Sequence, residues 1–207
     1  MINTIDIFSI KIYKVKYPKI DTLKQRVIPK LTQLLDNPEN ANFELMRNGG
    51  ECSYSVFNQL HTWEETKDVV KFILTHVDEY WRILNLHPDL KPYVLNMWAN
   101  RSTKEGWIYS HNHGPVPIVG TFYLNVSKDL GNIVLENPLD HVLGCQPINI
   151  PYTGFDYEAQ VNTGDLLLFP GWLKHHSIPN KTDEPRIGIS FNIGCTGTYL
   201  SAQWVTK

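Results

Sequence analysis

Apolar residues recur in this chain with two different periods, and the period changes near residue 90. Ahead of that point spacings of three and four dominate, which gathers side chains on one helical stripe. Leu23, Val27, Leu31 and Leu35 predict a helix over residues 21–36. Pro29 falls inside it; lacking an N–H and crowding the preceding turn, it should kink or split that helix. Val70, Ile73, Val77, Trp81 and Leu84 predict a second helix over 63–84, ended by His87-Pro88 and Lys91-Pro92. Thr62-Trp63-Glu64-Glu65 has the Ser/Thr-x-x-Glu form of a capping box at its start. Residues 5–17, with Ile10 and Ile12 flanking Lys11, read as an edge-type strand.

Beyond residue 90 the period falls to two. Short strands are expected at 93–100, 107–113, 119–126, 133–136, 157–161, 166–169, 172–178, 187–193 and 199–205, most of them separated by Gly, Pro, Asn or Asp. Helices followed by many short strands indicate an α+β protein: a barrel or jelly roll with the N-terminal helices packed outside. A chain of 207 residues suits one domain spanning 1–207, with a helical N-terminal half (1–90) and a barrel core (91–207). The helical half has two places to pack, the barrel or a partner subunit in a homodimer. Segment 137–156, with Pro138, Gly144, Pro147, Pro151 and Gly154 among apolar residues, is expected to form a lid or substrate loop.

Charge narrows the partners. The formal net charge is −2, so no basic field draws nucleic acid. Lys11, Lys14 and Lys16 read as the solvated face of a strand rather than a phosphate-binding arm. No apolar run is long enough to span a membrane, and Met1–Asp6 lacks the basic-then-apolar order of a secretory signal. Cys52, Cys145 and Cys195 are odd in number and widely spaced, which fits a reducing cytoplasmic compartment, or a host cytoplasm if the gene is phage-borne.

The candidate chemistry lies in the histidines. In an extended chain residues i and i+2 share a face, so His111 and His113 can reach one metal ion together. A third ligand must come from a distant strand, and His175-His176 supplies it. Gly164-x5-Pro170 with His175 five residues on has the form of a second cupin box, and Arg186 comes eleven residues after His175. That spacing favours His175. His176-Ser177-Ile178, a His-x-aliphatic run, keeps His176 as the alternative, and neighbours on a strand cannot both face the ion. Arg186 shares the parity of Gly188, Ser190 and Asn192, the polar face of its strand, where its planar fork suits a carboxylate.

These residues together resemble the iron(II)- and 2-oxoglutarate-dependent oxygenases, in a phage and bacterial branch related to prolyl hydroxylases. The resemblance rests on Trp98-Ala99-Asn100, His111-Asn112-His113, Gly120-Thr121-Phe122-Tyr123-Leu124-Asn125, the run from Phe169 to His175, and the run from Arg186 to Asn192. It implies a double-stranded β-helix core, iron ligation by His111, His113 and His175, and 2-oxoglutarate as small-molecule co-substrate. Its distal carboxylate would be held by Arg186 and Tyr123. The implied reaction is oxidative decarboxylation of 2-oxoglutarate coupled to hydroxylation of a C–H bond in an unidentified substrate. The chain departs from the commonest family motif, His-x-Asp, by carrying His113 where a carboxylate is usual. Glu136 and Asp165 are the carboxylates that could compensate, although Asp165 reads as a turn residue.

Other readings make different demands. A three-histidine cupin-type dioxygenase or isomerase needs no keto acid and no Arg186, but the glutamate it expects after the His-x-His is replaced by Pro117 and Ile118. A non-catalytic barrel would use the same pocket to bind a small ligand or a metal. His61, His76, His87 and His141 read as ordinary surface or core histidines, and Trp98, Trp107 and Trp172 as barrel packing.

Overall fold

A computed structural model describes residues 9–140 and 156–196. In chain order the elements are β1 (Tyr13–Lys16), α1 (Ile20–Leu35), β2 (Met46–Arg47), β3 (Glu51–Cys52), α2 (Lys67–Ile83), β4 (Lys91–Ser102), β5 (Trp107–Ile108), β6 (Ile118–Asn125), β7 (Ile133–Leu135), β8 (Tyr157–Ala159), β9 (Asp165–Pro170), β10 (His175–Ser177) and β11 (Arg186–Thr196). The expected strand at 199–205 and most of the expected lid, residues 141–155, lie outside the described residues, as does Cys145.

Both helices form, with corrections at their ends. Pro29 does not split α1, which runs unbroken from Ile20 to Leu35. One backbone hydrogen bond is lost at the proline, but Leu23, Val27, Leu31 and Leu35 on either side are all at most 2% exposed and hold both halves to the sheet. The capping box does not form. Thr62 Oγ1 donates to the Gln59 carbonyl (2.8 Å) instead, and α2 starts only at Lys67, after a 3-10 turn at Glu64–Thr66. Its buried stripe is Val69, Ile73, Val77 and Trp81, joined by Tyr80; Val70 is only half-buried.

Six strands make the larger sheet, in the order β1-β9-β6-β11-β4-β3, with every pairing antiparallel. The first 90 residues are thus not wholly helical, because β1 and β3 close the two edges of this sheet. Facing it are β10-β7-β8 and the two-stranded pair β2-β5. An isolated bridge between His111 and His175 and a bond from Ile108 N to Ser177 Oγ (2.8 Å) join these two pieces into one opposing layer. The layers enclose a barrel: the double-stranded β-helix expected from the sequence.

The period-two pattern divides each strand of the larger sheet between two cores. Ile187, Ile189, Phe191 and Ile193 of β11, with Ile118, Phe122 and Leu124 of β6, pack against α1 and α2. The helical half therefore packs on the barrel. The alternate residues point inward, where Val119 and Tyr123 meet Leu167 and Phe169 of β9. Gly188, Ser190, Asn192 and Arg186 also face inward and line the interior, as their shared parity predicts.

Candidate metal centre and co-substrate pocket

His111 and His113 do not lie in a regular strand, since β5 ends at Ile108. Backbone hydrogen bonds hold them in place individually. His111 exchanges two with His175, N–H to carbonyl in both directions (3.0 and 2.9 Å), and His113 N donates to the Gly171 carbonyl (2.8 Å). Gly114, at φ +63, then turns the chain away. His175 comes from β10, opposite His111, and is buried. One donor atom from each of His111, His113 and His175 lies within 4.8 Å of the others. Among the described residues this is the one cluster of three or more such side chains that could hold a metal ion.

The hydrogen bonds also choose the donor atoms. Nδ1 of His111 meets the Tyr109 carbonyl (2.8 Å), Nδ1 of His175 the Leu173 carbonyl (3.0 Å), and Nδ1 of His113 the Asn192 Oδ1 (2.6 Å). Each partner oxygen only accepts, so each Nδ1 carries the proton and each Nε2 keeps its lone pair. Burial keeps all three rings neutral. It holds His175 well below the usual imidazole range, with His111 adding to the effect. It brings His113 down to about 4, with His111 adding and Asn192 opposing, and it lowers His111 as well. Three convergent neutral imidazoles fit a divalent transition ion.

His176 borders the same cavity but is outside the cluster. Its Nδ1 meets Glu136 Oε1 at 2.9 Å, and that carboxylate also bonds Ser110, so Glu136 is engaged beside the cluster rather than in it. Asp165 accepts from Asn162 N (2.8 Å) and forms the turn into β9. His61, His76 and His87 do not line the cavity, and His141 lies outside the described residues. Trp98 lines the cavity, with its ring stacked on His113 (6.0 Å, 27°). Trp172 departs from the packing expected of it: it is 51% exposed, because the turn after Pro170 directs it outward.

The cavity measures about 370 Å³ and also contains Arg186 and Tyr123. Arg186 is buried, and its guanidinium donates to the Gly131 carbonyl (2.8 Å) and Ser102 Oγ (3.2 Å). Neither acceptor is charged, and among the described residues no carboxylate pairs with this arginine. Its sequence neighbour Asp183 takes Lys104 instead. Burial lowers the Arg186 pKa, which Tyr123 opposes. Burial likewise raises Tyr123 above the ordinary phenol range, so its hydroxyl stays protonated and able to donate. A buried cation without a counter-charge is costly, and an anionic ligand beside it would offset that cost. Between the two ends of the cavity lies a polar ladder: Asn100 Nδ2 donates to Ser190 Oγ (2.9 Å), which meets Thr121 Oγ1 (3.2 Å). Ser102, the Gly131 carbonyl and Asn192 were not picked out from the sequence as supports. The parity of Asn192 was visible there, but its partner was not.

The family described as "Putative 2OG-Fe(II) oxygenase" matches residues 96–192, the span holding both the histidines and Arg186. This stretch belongs to the 2OG-Fe(II) oxygenases. The description of that family names iron(II) and 2-oxoglutarate. Solved structures agree on the fold. HygX from Streptomyces hygroscopicus, with nickel, 2-oxoglutarate and hygromycin B bound, is 14% identical with a TM-score of 0.60, covering 89% of this chain and 83% of its own. A Pseudomonas putida prolyl-4-hydroxylase is 11% identical with a TM-score of 0.61, covering 91% and 95%. The viral collagen prolyl hydroxylase of Paramecium Bursaria Chlorella virus-1, as its 2OG complex, is 11% identical with a TM-score of 0.59, covering 88% and 94%. A comparison with curated protein sequences returned no match.

Proposed function

We propose that the chain is an oxygenase in which His111, His113 and His175 hold iron(II) while Arg186 and Tyr123 hold the distal carboxylate of 2-oxoglutarate. One observation carries this reading: a buried guanidinium that pairs with no carboxylate among the described residues shares a cavity with three convergent imidazoles. Iron(II) and 2-oxoglutarate, when bound, would supply the oxidising chemistry with dioxygen as the oxidant: one oxygen atom goes into the succinate formed as the keto acid loses CO₂, and the other is inserted into a C–H bond of the substrate. The chain's own residues bind, orient and exclude water. The Arg186 fork and the Tyr123 hydroxyl select a carboxylate at one end of the cavity. The Asn100–Ser190–Thr121 ladder gives the co-substrate a polar wall. The aromatic succession Phe43, Tyr54 and Trp98 forms an apolar wall for the primary substrate, with Tyr54 edge-on to Trp98 at 4.9 Å. HygX and the prolyl hydroxylases support a small-molecule or protein side-chain substrate and leave its identity open. A plain three-histidine cupin would leave Arg186 without a purpose.

Anaerobic addition of iron(II) and 2-oxoglutarate tests the reading. The wild-type protein should develop a weak visible charge-transfer band that needs both additions. Arg186→Ala should lose the band at 2-oxoglutarate concentrations that saturate the wild type while still binding metal. No band, together with no calorimetric binding of 2-oxoglutarate, would sink it.

A further inference from the structure

Of the three acceptors that hold the imidazoles, two are backbone carbonyls, of Tyr109 and Leu173. The third is a side chain, Asn192, whose Oδ1 takes the His113 Nδ1 proton at 2.6 Å. The strand is shaped at that point. Asn192 pairs with Asn96 of β4 and Ile193 with Val94, so Leu95 is an extra residue in β4 directly beside Asn192. Such a bulge re-aims the side chains around it. Asn192 is buried, at 6% exposure, and Trp98 stacks on the ring it holds, so His113 is fixed both in its plane and from one face.

We infer that Asn192 is a positioning residue that sets the ring orientation and donor strength of His113, and through it the affinity and electronic state of the metal. The inference rests on the ligand assignment made under Proposed function. The physical basis is charge. Three neutral imidazoles leave a divalent ion its whole double charge, and a neutral amide acceptor does nothing to reduce it. Asn192→Asp keeps the acceptor oxygen and the size but places an anion on the His113 N–H, which makes Nε2 a stronger donor. Asn192→Leu keeps the approximate volume and removes the acceptor, so the ring loses its orienting bond and the Nδ1 proton loses its partner.

Cobalt(II) alone is a suitable probe, read by calorimetry and by its visible ligand-field spectrum, with thermal melting of the metal-free protein as the folding control. Asn192→Leu should bind cobalt(II) about 10–100-fold more weakly than wild type. Asn192→Asp should bind at least as tightly as wild type and shift the ligand-field bands, an outcome that a merely structural asparagine would not produce. Wild-type affinity in Asn192→Leu, or an unaltered spectrum in Asn192→Asp, overturns the inference even if the other variant fails to fold. If the wild-type protein itself binds no cobalt(II), the ligand assignment fails, and this inference with it.

Discussion

His175 and His176 stand side by side, and the structure gives them opposite surroundings. His175 is buried among the other two imidazoles, whereas His176 is half-exposed against Glu136. His175→Ala should therefore abolish cobalt(II) binding in calorimetry, and His176→Ala should leave it within a few-fold of wild type; the reverse result would mean that the wrong neighbour has been assigned. The sequence could narrow the choice to two adjacent residues but not make it with certainty. Which face of β10 points inward is set by its bridge to His111, a contact made only when the barrel closes. Arg186 was more legible, because the long strand β11 fixes its parity with Gly188, Ser190 and Asn192. Its supports were not legible, since the Gly131 carbonyl comes from a loop where φ is +84 and a Cβ would lie 2.2 Å from the Ile178 carbonyl oxygen. Arg186→Lys keeps the charge but loses the planar fork, so the KM for 2-oxoglutarate should rise roughly tenfold or more with metal affinity unchanged. An unchanged KM would remove Arg186 from the co-substrate site.

At the scale of elements, strands with many partners were the easiest to read. β4, β6, β9 and β11 were each found to within a few residues at either end, from short apolar runs bounded by turn residues, because both faces of this sheet are covered, by the helices on one side and the barrel interior on the other. Short or irregular pieces were overdrawn. The expected strand at 107–113 shrinks to Trp107–Ile108, since His111 and His113 beyond it are held by isolated bonds to His175 and Gly171 rather than by a ladder. The helix errors have a shared cause, in that local signals at Thr62 and Pro29 were outweighed by packing and by competing hydrogen bonds. Between these layers Gly120 is a sensitive point. A Cβ there would meet Phe191 Cζ at 2.5 Å and Leu168 Cδ2 at 2.7 Å, on the face that packs against the helices. Gly120→Ala should cost about 1–3 kcal/mol through overpacking. That loss should appear as a lower urea midpoint, with metal affinity of the folded protein retained; a stability equal to wild type would mean that β6 and β11 can separate freely here.

At the scale of the whole molecule, metal and co-substrate should be linked through the fold's stability. The donors of the metal cluster come from β10 and from the segment after β5, both in the smaller layer, while Arg186 and Tyr123 belong to the larger sheet. A ligand reaching from one to the other ties the two layers together. Manganese(II) at about 100 times its Kd should raise stability by about 2.7 kcal/mol, which for a chain of this size is a melting shift of roughly 5–10 °C. 2-Oxoglutarate alone finds Arg186 and Tyr123 but no cation at the other end of the cavity, so its shift should be small. With both present the shift should exceed the sum of the separate shifts. The co-substrate's charge is then opposed by an ion whose double charge three neutral imidazoles leave undiminished, and each ligand raises the other's affinity by the same factor. Differential scanning fluorimetry of the four states measures this directly. Strictly additive shifts would show that the keto acid binds at the arginine without engaging the metal, which is a binding barrel rather than an oxygenase, whereas a surplus that vanishes in Arg186→Ala assigns the coupling to the carboxylate held across the cavity.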